Sequence, residues 1–127
     1  MGGNPLCCAG ALAVLEIMDE ENLVEKAAKN GELLKDRLLE LMGKYPFIGD
    51  VRGRGLVYGV EFVKDRETKE PAAELAREIV VRCVAGGLMC GKLGLYGNVM
   101  RVAPPLVITP EQIDASVAIL DKVLGQM

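Results

Sequence analysis

Apolar positions recur along this chain in two different periods, and the change from one to the other divides it into elements. Leu23, Ala27, Leu34, Leu38 and Leu41 fall near helical spacing, with Glu25, Lys29, Glu32, Lys35 and Asp36 between them. That pattern predicts a surface helix with one buried stripe, beginning near Glu20–Glu21 and ended by Gly43 and Pro46. From about Pro71 to Ala85, Leu75, Ile79 and Cys83 form one row and Ala76, Val80 and Val84 a second beside it, before a Gly86-Gly87 stop. Ile113, Val117, Leu120 and Leu124 make the stripe of a last helix. Its start is marked by Thr109-Pro110-Glu111-Gln112, a capping box in which Thr and Gln each satisfy a free backbone N–H. The first helix is different. Asn4 and Pro5 suit the N-cap and first helical position, but Leu6, Ala9, Gly10, Ala13, Val14 and Ile17 leave it small and apolar nearly all round. Such a helix expects neighbours on more than one side.

Between these helices the period shortens to two. Ile48–Val51 reads as extended, Arg52-Gly53-Arg54-Gly55 as a turn, and Leu56–Val63 as a strand with Leu56, Tyr58, Val60 and Phe62 on one face. Leu88–Cys90 reads as a short strand. A Gly-rich loop follows through Lys92, Gly94, Tyr96, Gly97 and Asn98, then a last strand over Val99–Ala103, stopped by Pro104-Pro105. The order is α-α-β-β-α-β-β-α. It predicts an α+β domain, a small and mostly antiparallel sheet with helices packed on one face, and Val60, Leu75, Ile79 and Leu120 in one core.

Composition narrows the chemistry. The chain has 127 residues, half of them apolar and only 4% aromatic, so one core built from aliphatic side chains is expected. A net charge of -3 with interspersed signs offers no basic face to a nucleic acid. No apolar run reaches membrane-spanning length and no secretory leader pattern opens the chain, which makes no membrane partner and a cytoplasmic location the expectation. There is no histidine, and the only serine is Ser116, so nucleophile–histidine catalysis is out of reach. Cys7, Cys8, Cys83 and Cys90 match no zinc or redox spacing; no metal is expected, and all four read as buried, apolar-like thiols.

Gly53-Arg54-Gly55 precedes a strand, whereas phosphate-binding glycines follow one and open a helix, so it reads as structural. Arg101 stands out because it interrupts an apolar strand, sharing a face with Val99 and Ala103. Two readings stand: an edge-strand arginine in solvent or paired with Glu61, or a clamp for a carboxylate, whose two oxygens match the planar guanidinium. Gly2-Gly3-Asn4 ahead of a helix could form an anion nest.

Three segments together resemble a known family. Gly2-Gly3-Asn4-Pro5-Leu6 with its Ala-rich helix, Val51-Arg52-Gly53-Arg54-Gly55-Leu56 with Gly59-Val60-Glu61, and Asn98 to Thr109 with its Arg-x-x-Pro-Pro-Leu core occur in the order of class III, fold type I, pyridoxal-phosphate-dependent aminotransferases. The stretch Leu93–Asn98 is most similar to 4-aminobutyrate and related ω-amino-acid transaminases. The resemblance covers residues 1–127 and implies the C-terminal small domain of such an enzyme, with residues 1–19 as the helix linking it to a large domain. It implies that Arg101 binds a substrate carboxylate, and that Gly2 and Gly3 approach the cofactor phosphate of the partner subunit in a homodimer. The Arg52–Gly55 turn carries no catalytic role by this match. The Schiff-base lysine of the family lies upstream of its Gly-Gly-Asn-Pro segment and matches no lysine here. The implied parent moves an amino group from an amino acid to a 2-oxo acid with pyridoxal phosphate, while these residues alone would hold no cofactor and be inactive. The rival reading is a free-standing α+β module that binds a small anion or regulates.

Overall fold

The computed structural model describes residues 3–127. Its elements are α1 (Pro5–Glu20), α2 (Leu23–Lys44), β1 (Ile48–Arg54), β2 (Val57–Phe62), α3 (Ala73–Ala85), β3 (Gly91–Leu93), β4 (Val99–Val102) and α4 (Pro110–Leu124). The four strands form one antiparallel sheet in the order β1-β2-β4-β3, so the α+β class and the order of elements expected from the sequence are those observed.

Local chemistry explains most of the boundaries. Asn4 caps α1 by accepting the Leu6 N–H at 2.9 Å, with Pro5 in the first turn. Both arms of the Thr109–Gln112 capping box are made. Helix α2 begins at Leu23, later than the charge pattern suggested, because Asn22 takes a left-handed conformation at φ 52° and breaks α1 from α2. Helix α3 begins at Ala73, just after the expected start near Pro71. Pro71 forms a bridge with Val63, and the Ala72 N–H donates to the Phe62 carbonyl at 3.1 Å, which holds this stretch to the sheet.

Two strand expectations are corrected. Arg52–Arg54 belongs to β1, and the reversal is the two-residue Gly55-Leu56, with Arg54 opposite Val57. Gly55 supplies φ +56° there. Helix α2 passes so close to this turn that a Cβ on Gly31 would lie 2.2 Å from the Gly55 carbonyl oxygen, so the hairpin is seated on a glycine of the helix. The short strand expected at Leu88–Cys90 falls instead at Gly91–Leu93, where pairing to β4 decides the register.

The inner face of the sheet carries Tyr58, Val60, Phe62 and Met100, packed against Leu34, Leu38, Ile79, Ile113 and Leu120 of α2, α3 and α4. Of the expected core, Val60, Ile79 and Leu120 are buried, and Leu75 packs half-buried at the margin. Tyr45, at the C-terminal end of α2, ties that end to α4: its hydroxyl donates to Asp121 Oδ1 at 2.7 Å and also lies 3.0 Å from the Asp121 carbonyl oxygen. Lys44 Nζ reaches the same carboxylate at 2.7 Å. Helix α1 contributes no buried residue and, among the described residues, meets only α2. No helix of the described residues is long and apolar enough to cross a membrane.

Candidate functional site

Strand β4 lies inside the sheet, between β2 and β3. Alternation sends Met100 into the core and Val99 and Arg101 to the outer face, away from the helices. Val99 is nevertheless buried, because two glycines close around it. A Cβ on Gly59 would sit 3.1 Å from Val99 Cγ1, and one on Gly94 3.0 Å from Val99 Cγ2. The buried Asn98 anchors the start of the strand, donating from Nδ2 to the Phe62 carbonyl at 2.9 Å while its own carbonyl accepts the Phe62 N–H at 2.8 Å.

Arg101 is exposed. Its cross-strand partners are Gly59 on β2 and Gly91 on β3, so the backbone on either side offers it no side chain. Two strands away in the same row stands Arg52, paired opposite Gly59. Between the two arginines is a shallow hollow lined by Arg52, Gly53, Val57, Gly59, Leu93 and Arg101.

The two guanidiniums differ in their surroundings. Arg52 Nη1 donates to Asp50 Oδ2 at 2.8 Å and to Glu61 Oε2. Hydrogen bonds to Asp50 first, and then to Glu61, hold the Arg52 guanidinium above its ordinary pKa. Glu61 is also approached by Asn98 Nδ2 at 3.5 Å. Arg101 has no ion pair or side-chain hydrogen bond to the described residues. Of the alternative reading, an edge-strand arginine in solvent or paired with Glu61, the exposure is observed, whereas the edge position and the Glu61 pair are corrected: the strand is internal, and Glu61 is taken by Arg52. The Asp50–Arg52–Glu61 group was missed from sequence because the β1 register was needed to see it.

Of the two glycines expected near a phosphate, Gly2 lies outside the described residues. Gly3 is exposed at φ +82°, and none of the described residues lies within 4 Å of where its Cβ would be, so a ligand could approach its backbone closely. The cysteine expectation holds for the buried Cys83 and the half-buried Cys90 but is corrected for Cys7 and Cys8, which are exposed on α1. They occupy a helix whose apolar surface the described residues do not cover. A hydrogen bond with Cys90, together with burial, pushes the Cys83 thiol well above its usual range, and the same contact lowers Cys90. Among the described residues no group of three or more His, Cys, Asp or Glu could hold a metal ion.

Comparison with known proteins places these features in context. The model of the family described as aminotransferase class-III matches residues 1–124. The chain is 44% identical over 119 residues to isoleucine 2-epimerase of Lentilactobacillus buchneri, covering 94% of the chain and 26% of that protein. It is 42% identical over 120 residues to 4-aminobutyrate aminotransferase GabT of Escherichia coli, again covering 94% of the chain but 28% of the relative. A crystal structure of a Bacillus anthracis aminotransferase superposes with a TM-score of 0.94 at 42% identity, over 98% of the chain and 29% of that structure. The chain thus spans between a quarter and a third of the length of these relatives.

Proposed function

The chain belongs to the class-III aminotransferase family, and we propose that it is the C-terminal small domain of a pyridoxal-phosphate-dependent aminotransferase, with Arg101 binding the carboxylate of the amino-acid substrate. The observation that carries this reading is the exposed, unpartnered guanidinium of Arg101 between two glycines, on a sheet face that no described helix covers. An arginine held in a strand without a partner is an open site for a bidentate anion, and a planar carboxylate fits it.

In this reading residues 1–19 link the domain to a large domain ahead of it, which supplies the Schiff-base lysine and the aspartate that holds the pyridine ring. Gly2 and Gly3 approach the cofactor phosphate of the partner subunit in a homodimer; the positive φ of Gly3 and the open space over it suit that approach. When bound, pyridoxal phosphate supplies the electron sink for chemistry at the carbon bearing the amino group. The residues of this domain bind and orient. Arg101 fixes the carboxylate, and closure over the site would exclude water and strengthen that ion pair. The 127 residues alone hold no cofactor and have no transaminase activity.

For the substrate, we favour an ω-amino acid such as 4-aminobutyrate as donor and a 2-oxo acid as acceptor. This is supported by the 42% identity to the E. coli 4-aminobutyrate enzyme and by 41% identity to 5-aminovalerate aminotransferase DavT of Pseudomonas aeruginosa. A second reading, racemisation of a 2-amino acid, is favoured by the 44% identity to an isoleucine 2-epimerase. Both use a substrate carboxylate, so Arg101 serves either.

The test is an assay of the full-length protein with 4-aminobutyrate and a 2-oxo acid beside chiral analysis of 2-amino acids. Amino transfer is the expected outcome, and inversion without transfer supports the second reading. Arg101→Lys keeps the charge but loses the fork. It should lower kcat/KM tenfold or more for donors with a carboxylate, corresponding to a charge-assisted hydrogen bond of about 1.5–3 kcal/mol, and leave simple amines nearly unaffected. Equal losses on both donor classes would refute the assignment of Arg101.

A further inference from the structure

Arg101 is the one arginine on the outer face that must stay uncompensated if it is to receive a carboxylate, and a carboxylate of the chain itself stands within reach of it. Gly59 lies directly opposite Arg101, and Glu61 lies two residues along the same strand and on the same face. Diagonal cross-strand neighbours of this kind come within reach when both side chains are long. Glu61 is also diagonal to Arg52, because Arg52 too is paired with Gly59. One carboxylate therefore has two diagonal guanidiniums, one on each flanking strand, and it is bound to Arg52.

Three features fix that choice. Asp50 on β1 also accepts from Arg52, at 2.8 Å, which holds the guanidinium on the β1 side of the face. Asn98 Nδ2 sits beside the other oxygen of Glu61, at 3.5 Å. The Glu61 side chain is only 25% exposed, so it is partly withdrawn from the solvent through which it would swing. Opposite Arg101 on its other side is Gly91, where a Cβ would meet nothing within 4 Å and φ is not left-handed. Among the described residues neither packing nor backbone geometry demands a glycine there, and its effect is to leave Arg101 without a neighbouring side chain from β3.

We propose that Arg52 is a positioning residue for substrate recognition: by holding Glu61 it keeps that carboxylate off Arg101 and leaves Arg101 free for a substrate carboxylate. The inference rests on the reading of Arg101 given above, and it assigns a role to a residue in a segment that otherwise reads as a structural hairpin. Without Arg52, Glu61 turns to Arg101, competes with the incoming carboxylate and repels it.

The experiment uses the full-length enzyme and reads the ratio of kcat/KM for a carboxylate-bearing donor to that for a simple amine. Arg52→Gln should lower the ratio about fivefold, the scale of one cross-strand ion pair. Arg52→Gln combined with Glu61→Gln should restore it, because the competitor is gone. Arg52→Lys should fall near the wild type, since an ammonium can still hold Glu61. A purely structural role for Arg52 would leave the double variant as impaired as the single one or worse, and that result overturns the inference, as does an unchanged ratio in Arg52→Gln. Arg101→Gln separates the two levels of the argument. If it collapses the ratio while Arg52→Gln does not, only the role of Arg52 is lost. If it leaves the ratio unchanged, the reading of Arg101 fails and the role of Arg52 falls with it. A second readout needs no activity. In the 127-residue chain, the Arg101 guanidinium resonance should move on Glu61→Gln in the Arg52→Gln background and stay still in the wild-type background; movement in neither overturns the inference.

Discussion

The two faces of the one sheet are built to opposite rules. The middle of the inner face is filled by large apolar side chains, and Phe62, Val60 and Met100 are all but inaccessible. On the outer face the same strands present charges and glycines, so that Gly59 and Gly91 flank an arginine. Close packing on one side fixes strand positions that the other side then uses without having to stabilise them. The domain's stability should therefore be sensitive to the inner face and nearly indifferent to Arg101, whereas substrate choice should follow the opposite pattern.

The sharpest way to break this contrast is to empty the inner face. Phe62→Ala removes a fully buried ring, and about 3–5 kcal/mol of stability should be lost, read as a lower urea midpoint with an unchanged slope. Next in size is Gly31→Ala. The added methyl would collide with the Gly55 carbonyl, and forcing α2 away from the hairpin should cost about 1–3 kcal/mol, measured in the same way. A loss below about 0.5 kcal/mol would mean that the helix and turn are not seated as described.

A smaller effect is expected where Tyr45 and Lys44 meet Asp121. Tyr45→Phe removes a largely buried hydroxyl's bonds and should cost about 1 kcal/mol. Lys44 and Tyr45 both hold the Asp121 carboxyl below its usual range, the lysine hydrogen bond foremost. A depressed folded-state pKa means stability that is present above the unfolded value near 3.8 and lost as pH falls through the folded value. Asp121→Asn should therefore flatten the acid limb of the stability profile below about pH 4, followed by thermal melts across that range. The smallest effect on stability belongs to Arg101→Lys, which should stay within about 0.5 kcal/mol in the isolated chain. A larger loss would show that the outer face, too, carries the fold.

What could be read from the sequence follows the same division. The helix signals at Asn4-Pro5 and Thr109–Gln112 are local, since cap and recipient lie within three residues, and both are observed. Tyr58, Val60 and Phe62 were legible because alternation records burial on one face. Strand β3 was misplaced because Gly91-Lys92-Leu93 has no apolar alternation and is held only by pairing to β4. The hairpin turn was expected over Arg52–Gly55, ahead of the observed Gly55-Leu56, because glycine at position 53 looks like a turn former. There it is needed for space, since a Cβ would lie 2.1 Å from the Val57 carbonyl oxygen. Arg101 could be singled out because a charge in an apolar strand is conspicuous. Its separation from Glu61 could not, because that depends on which of two arginines the carboxylate meets, and only the register of three strands decides it.

Helix α1 has a thermodynamic consequence of its own. A segment that buries nothing in the core draws no cooperativity from it, so its persistence depends on the balance between helix nucleation and propagation. Sixteen residues is close to the length at which even alanine-rich helices are marginal in water. In the isolated chain, then, melting should proceed in two parts. The far-ultraviolet signal should begin to fall early and gradually as α1 frays back toward the left-handed residue Asn22. The environment of the buried Tyr58 should hold until a later, sharp transition. A single unfolding free energy would describe residues 23–127 but not the whole chain, and amide exchange should change abruptly where α1 gives way to α2.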